Sequence, residues 1–481
     1  MAAARALPLD APAYARLAGL EGAFDDGVPG DIAGVRRLVQ SAQAALAAGE
    51  QELAACLLLG AAMPCYWGAA ADPVRDLVRG AARSLTLPGD DPRVIAISAL
   101  VSPFDSGAAV VARLAEWAAR DTREPALASA LGRAGFVAGD FERGLAFARQ
   151  ASDGLRRQGR VALLTQALVL QTFSALYLGR WDVTHTASDE AYRFAVETRQ
   201  PVWAACAQLG RANLAGLRGE YERALSWSGE VERYALSAGN RALLSGVQLT
   251  RGFAALGDSR PAEAFTEFRR MTDPADQAYQ SPQCAWAIDY LAEAAALSGH
   301  AAEASAIVSD VGQLAGTTTA PGVLRAIALA RAVLAADDTA ERCFAQAREH
   351  AADAPAWFAA RLDLAYGTRL RGRGRAVQAR QPLRASLAVF DSLGAAAWAA
   401  RAREQLAATG HRPLRPGTTG WAELSATELQ VAKLAAGGLS NREIGERLYL
   451  SHRTVAAHLY RIFPKLGIGS RTELPAVLPE G

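Results

Sequence analysis

The sequence predicts an all-α protein, built as a long array of stacked helical hairpins followed by a small four-helix module. Three observations carry that prediction. Ala, Leu, Arg and Glu dominate residues 31 to 408, and apolar residues recur there at steps of three and four, as in GEYERALSWSGEVERYAL. That is the period of an amphipathic helix. The breaks recur as well. Gly139, Gly179, Gly219, Gly257 and Gly299 open similar units at steps of 40, 40, 38 and 42 residues. Finally, residues 421 to 481 leave this pattern for short helical stretches, three of them opened by a Ser with Glu three residues on.

Residues 1 to 30 hold one early Arg and no uninterrupted apolar stretch after it, so they do not read as a signal peptide. Leu53 to Ala71 carries no charge and is long enough to span a bilayer. It is rich in Ala and holds Gly60, Pro64, Tyr66 and Trp67, which predicts a buried helix ending near Pro64. From there each unit follows one logic. A helix ends at Gly, which takes positive φ without Cβ strain. A short turn follows, and a second helix opens with an Ala-rich face. One hairpin cannot bury its own face, so stacking makes the core. The Gly, aromatic and Ala spacing loosely resembles a tetratricopeptide repeat, with a period longer than its usual 34 residues. Weaker units are expected near Asp338 and Gly374. Trp67, Trp117, Trp181, Trp203, Trp227, Trp286 and Trp357 are expected to pack, with a few available to a concave face. Cys56, Cys65, Cys206, Cys284 and Cys343 form no C-x-x-C pair and read as small apolar core residues of a reducing, cytoplasmic compartment.

The last part of the array is basic. Ten arginines lie between Arg369 and Arg415, against Asp391 and Glu404. Two readings stand: a solvated helical face on which long Arg side chains lie, or a patch for phosphates. Residues 409 to 420, rich in Pro, Gly and Thr, read as a linker. The whole chain has 51 Lys and Arg against 49 Asp and Glu. That excludes a chain basic throughout but leaves room for a small DNA-binding module, where only the local field counts.

The module at 421 to 481 reads as four helices. Ser425 caps the first, with Glu428 closing a capping box, and Gly437 and Gly438 end it. Ser440 and Glu443 do the same for the second, with Ile444 and Leu448 facing inward. Tyr449 and Leu450 make the turn. Ser451 caps the third, which carries Val455, Leu459, Ile462 and Leu466 at helical spacing and stops at Gly467. Ser470 caps the fourth, with Glu473 three on and Leu474 as anchor. Two short helices across a tight turn, the second longer, make a helix-turn-helix whose second helix suits a major groove.

These residues closely resemble the DNA-binding domain of LuxR-type transcriptional regulators. The matches are Leu424, Ser425 and Glu428; Gly438, Ser440, Asn441, Glu443 and Ile444; Leu448, Leu450, Ser451, Thr454, Val455 and His458; and Lys465, Leu466, Ser470 and Arg471. The resemblance implies double-stranded DNA as partner, with Ala456, Ala457 and Tyr460 facing bases. Arg442, Arg453, Arg461, Lys465 and Arg471 are then phosphate contacts. It implies a homodimer on DNA, with RNA polymerase and an unidentified small-molecule or protein effector as further partners. Thr454 is expected to bond locally at its helix start. For His458 the options are DNA or packing on the first helix. Thr427 replaces the family's usual Arg, and Pro464 predicts a kink or early end of the third helix.

The segment before the module resembles the one preceding the DNA-binding domain in the large ATP-binding LuxR-type regulators. This chain has no G-x-x-x-x-G-K-[S/T] loop, so no nucleotide or other cofactor is expected. No paired carboxylates, metal spacing or nucleophile elbow points to an enzyme. The expected function is a sequence-specific regulator with a helical-repeat sensor. The alternative is an interaction scaffold whose module has lost DNA binding, kept open by Ala456, Ala457 and Pro464.

Overall fold

The computed structural model describes residues 32–68, 72–120, 122–350, 354–410, 424–466, 468, 470–471 and 474–477, and among them no strand occurs. The N-terminal segment 1–30 and nearly all of the expected linker lie outside the described residues. The array comprises α1 (Ile32–Ala47), α2 (Gln51–Trp67), α3 (Asp72–Ala82), α4 (Pro92–Val101), α5 (Gly107–Ala118), α6 (Pro125–Ala138) and α7 (Phe141–Arg157). It continues through α8 (Val161–Tyr177), α9 (Trp181–Glu197), α10 (Pro201–Arg218), α11 (Tyr221–Ala238), α12 (Arg241–Gly257), α13 (Pro261–Thr272) and α14 (Ser281–Ser298). It closes with α15 (Ala301–Ala315), α16 (Pro321–Leu334), α17 (Ala340–Glu349), α18 (Ala356–Gly372), α19 (Ala376–Leu393) and α20 (Ala396–Ala407).

The repeat is finer than the sequence suggested. Residues 139, 159, 179, 199, 219, 239 and 259 all have positive φ, one every twenty residues. Each 40-residue unit is therefore two near-equal helix-plus-turn halves. At every one of these turns the next residue's N–H reaches back five residues, as Asp140 does to Gly135 and Glu220 to Ala215. This bond ties off a carbonyl that the helix end leaves unpaired. Glycine fills five of the seven positions; Arg199 (φ 57°) and Ser259 (φ 56°) fill the others. Gly139, Gly179 and Gly219 stand at turns as expected. Gly257 does not: it is the last residue of α12, and Ser259 takes the left-handed place. Gly257 serves close approach instead, because a Cβ there would lie 2.3 Å from the Tyr221 hydroxyl.

Every second helix, from α2 to α20, packs on the next of that set, and these form the inner layer. α8, α10, α12 and α14 are buried along most of their length. The array curls until α2 meets α12, and α20 meets α10 and α12. The Gln280 amide donates to the Tyr66 carbonyl at 3.3 Å across this closure. Two large apolar clusters fill the array, joined through Val111, Phe136 and Phe173.

Several expectations change. α2 runs past Pro64 to Trp67. One missing backbone bond near the end of a helix does not stop it when Met63, Cys65, Tyr66 and Trp67 are all buried. Among the described residues no helix is long and apolar enough to cross a membrane. Trp67, Trp181, Trp203, Trp286 and Trp357 are buried, while Trp117 and Trp227 are half-buried beneath Arg120, and Arg211 and Arg223. Cys56 lies on the exposed side of α2, contrary to its reading as core, and no cysteine forms a disulfide. The arginines of the basic stretch are largely engaged. Arg369 and Arg373 hold Asp337, Arg375 holds Glu341, Arg403 holds Asp391 and Arg401 holds Glu293. Arg371 bonds to Gln405 and Arg380 to the Thr409 carbonyl. These ties hold different parts of the array together, which favours the helical-face reading over the phosphate patch. Arg412 and Arg415 lie outside the described residues.

Candidate nucleic-acid interface

The C-terminal module comprises α21 (Ala426–Ala436), α22 (Asn441–Leu448), α23 (His452–Leu466) and the single turn α24 (Leu474–Val477). Side chains fix the helix starts. Ser425 accepts from the Glu428 N–H while Glu428 accepts from the Ser425 N–H. Ser440 and Glu443 make the same reciprocal pair. Ser451 accepts from the Thr454 N–H at 3.0 Å and shares a 2.7 Å hydroxyl contact with Thr454, so Thr454 does bond at its helix start. Glu473 of the Ser470–Glu473 box lies outside the described residues, as does Gly467.

The elbow between α22 and α23 is tight. Tyr449 takes φ 54°, and the Leu450 N–H closes on the Gly445 carbonyl at 2.9 Å. A Cβ on Gly445 would stand 2.5 Å from the Leu450 carbonyl oxygen. Val455, Leu459, Ile462 and Leu466 turn one face of α23 onto a core shared with Val431, Ala432, Ala435, Ile444 and Leu474. This leaves Arg453, Ala456, Ala457, Tyr460 and Arg461 together on the outer face, all exposed. Tyr460 is 82% exposed. α23 carries no acidic residue, and between 424 and 471 seven Lys and Arg face three Glu. A helix is about 10–12 Å across with side chains, and the major groove is about 12 Å wide.

The five candidate phosphate contacts part ways. Arg453 and Arg461 lie on the outer face of α23. Arg461 bonds back to the Ala457 carbonyl and lies 3.3 Å from His458 Nδ1; His458 is half-buried. Arg442 is exposed on α22 and pairs with Glu446 at 3.2 Å. Lys465 instead donates to Glu428 at 2.7 Å, tying the end of α23 to the start of α21. Lys465 and the Ser425 N–H hold the Glu428 carboxyl down to about 2. Arg471 donates to Asn441 Oδ1 at 2.7 Å and links the fourth segment to α22. Lys465 and Arg471, expected as phosphate clamps, thus have cross-ties inside the module. Helix spacing could not show this, because the partners lie 37 and 30 residues away. Pro464 does not end α23 early: the helix continues to Leu466. Two exposed residues stood outside the base and phosphate candidates. Tyr449, 96% exposed at the elbow, and His452, exposed at the first position of α23, lie at the end of α23 that would enter a groove. The step from 449 to 453 to 456 was the available signal.

Residues 422–478 match the family described as bacterial regulatory proteins, luxR family. An HTH-type transcriptional regulator of Mycobacterium bovis is 46% identical over 63 residues, which are 13% of this chain and 7% of that protein. The Fimbriae Z protein of Salmonella typhimurium is 49% identical over 51 residues, 11% of this chain and 24% of that one. The oxygen regulatory protein NreC of Staphylococcus aureus is 47% identical over 51 residues, with the same coverage. The chain therefore spans less than a quarter of the length of these curated relatives. Among solved structures, a Rap protein complexed with competence and sporulation factor aligns over 79% of this chain and 98% of its own, at 11% identity and TM-score 0.43. Behind its helical array, the chain carries a helix-turn-helix domain of the luxR family.

Proposed function

We propose that this protein is a sequence-specific DNA-binding transcriptional regulator. The carrying observation is the outer face of α23, where Arg453, Ala456, Ala457, Tyr460 and Arg461 stand exposed and free of acidic neighbours on the same helix. The names of the relatives that share this domain support the reading. α23 enters the major groove, Ala456, Ala457 and Tyr460 face base edges, and Arg442, Arg453 and Arg461 take phosphates. Lys465 and Arg471 keep the module in shape. One such module buries little area, so the chain binds as a homodimer on two half-sites one helical turn apart. The array receives an effector, and the bound dimer acts on RNA polymerase.

A salt-series titration by fluorescence anisotropy, on the chain's own upstream DNA and a scrambled duplex, tests this. Arg453→Ala and Arg461→Ala should each weaken both duplexes and lower the salt slope by about 1. Tyr460→Ala should cost about 1–3 kcal/mol on the cognate duplex and less on the scrambled one. If the intact chain binds neither duplex at low salt, the scaffold reading replaces this one.

A further inference from the structure

A cleft of about 420 Å³ lies near the end of the array, between α14, α16, α17, α18 and α20. Small-molecule sites commonly measure about 300–1,000 Å³. Leu297, Leu329, Val333, Phe344 and Leu364 give the cleft an apolar side. Leu329, Phe344 and Leu364 are buried, whereas Leu297 stays 48% exposed.

The charges of the cleft fall into two sets. Arg361 and Arg401 are matched by two carboxylates: Arg361 holds Asp289 at 2.6 Å and Glu293 at 2.9 Å, and Arg401 completes Glu293. The second set is unbalanced. Arg369, Arg371 and Arg373, at the end of α18, face a single carboxylate among the described lining residues, that of Asp337. Arg369 and Arg373 share one of its oxygens, at 2.6 and 2.7 Å. Arg371 has a neutral partner, Gln405, which it reaches through Nε at 2.7 Å. Three guanidinium charges against one carboxylate leave two in excess. Donors are left as well. A guanidinium carries five N–H groups; Arg371 spends only Nε, and Arg373 only Nη2. The ties of the basic stretch therefore hold the array together and still leave this cleft cationic.

We propose that the cleft binds a small organic anion with an apolar body, its oxyanion head on the arginines at the end of α18 and its body on the side lined by Leu297, Val333 and Phe344. Guanidinium forks suit carboxylate and phosphate oxygens. An inorganic anion would leave the apolar side open to water, and a neutral apolar molecule would leave the excess charge unmatched. The proposal rests on the reading that the array receives an effector, and it gives that effector a chemistry.

The test uses the full-length chain. Octanoate and octyl phosphate join an apolar chain to an oxyanion head; octanol carries the chain alone, and acetate a head alone. Calorimetric titration without DNA should show one saturable site per chain for octanoate or octyl phosphate, about tenfold tighter or more than for octanol or acetate. Arg371→Gln removes one cation and should weaken the better anion about threefold to tenfold. Leu297→Glu sets a like charge on the apolar side, at a half-exposed position that folding tolerates, and should weaken it about tenfold or more. Arg403→Gln is the control: Arg403 holds Asp391 and does not line the cleft, so its loss should change affinity less than about twofold. Melting curves report whether each variant folds, and each cleft variant decides by itself. The proposal is overturned if neither anion binds saturably, if octanol binds equally well, if a folded cleft variant leaves the anion site intact, or if Arg403→Gln weakens it as much as Arg371→Gln. Repeating the DNA titration with the anion bound separates the two readings. A saturable anion site with unchanged DNA affinity keeps the site and removes the effector role, whereas DNA binding without an anion site leaves the regulator reading standing.

Discussion

The array and the C-terminal module end their helices by different means. In the array most described helix starts have no side-chain cap; Asp91, Asp140, Asn240 and Gln280 are the exceptions. Boundaries there come from the backbone, through a left-handed residue every twenty positions and a bond reaching back five residues. In the module, Ser425, Ser440 and Ser451 each accept from a backbone N–H three residues on. The difference follows from area. A stacked helix buries one face on its own hairpin and another on the next, so packing holds it. A module with eleven buried apolar residues among those described has less to draw on, and caps worth about 1 kcal/mol each matter more.

The largest contrast concerns charge. In the array, Arg361 is 4% exposed, bonds Asp289 at 2.6 Å and Glu293 at 2.9 Å, and lies over the Tyr290 ring. Arg401 and the Trp398 N–H complete Glu293. In the module the corresponding tie is Lys465 to Glu428, with Lys465 35% exposed. Arg361→Met should cost about 3–5 kcal/mol, because it strands the buried Asp289 carboxylate. Lys465→Met should cost about 1 kcal/mol or less. Denaturant unfolding followed by tryptophan fluorescence measures the first, and thermal melting of the module by circular dichroism the second. Equal costs would remove the contrast.

A medium effect separates backbone strain from packing within the array. Gly159 and Gly179 both have positive φ, but a Cβ meets nothing at 159 and lies 2.7 Å from the Trp357 Cβ at 179. Gly159→Ala should cost about 1–2 kcal/mol. Gly179→Ala should cost about 1–3 kcal/mol more, since the Trp357 stem must move. Arg199→Gly, at the same kind of turn, should instead gain about 0.5 kcal/mol. Melting midpoints of the three variants rank them.

A further effect belongs to the module and depends on pH. The Glu428 carboxyl is held down to about 2 from 4.5. Its contribution is therefore complete above the usual carboxylate range and is lost as the pH falls from about 4.5 to about 2. Glu428→Gln keeps a side chain able to cap but loses the pairing with Lys465. It should cost about 1 kcal/mol at neutral pH, and the variant's module should melt with less acid sensitivity over that window. An unchanged acid profile would remove Glu428 as its source.

The site was legible to the extent that it is local. The apolar period of α23 sorts Val455, Leu459 and Ile462 inward and Ala456, Ala457 and Tyr460 outward, because a helix alone fixes that geometry. The Ser-x-x-Glu boxes are equally local. The cross-ties of Lys465 and Arg471 were not legible, because a charge near a reading helix looks the same whether it faces solvent or a partner brought in by folding.

By itself the sequence determined the helical period, the turns at Gly139, Gly179 and Gly219, and the helix-turn-helix, each a property of neighbouring residues along the chain. Tertiary structure alone decided the rest. It gave the half-period turns at Arg199 and Ser259, where neither residue announces positive φ. It took Arg369, Arg373, Arg375 and Arg401 from an open basic face to acidic partners brought in by folding. It also closed the array, setting Tyr66 against Gln280 at a separation of 214 residues. The curvature of a stack is the sum of many small helix-packing rotations, and no local pattern records that sum.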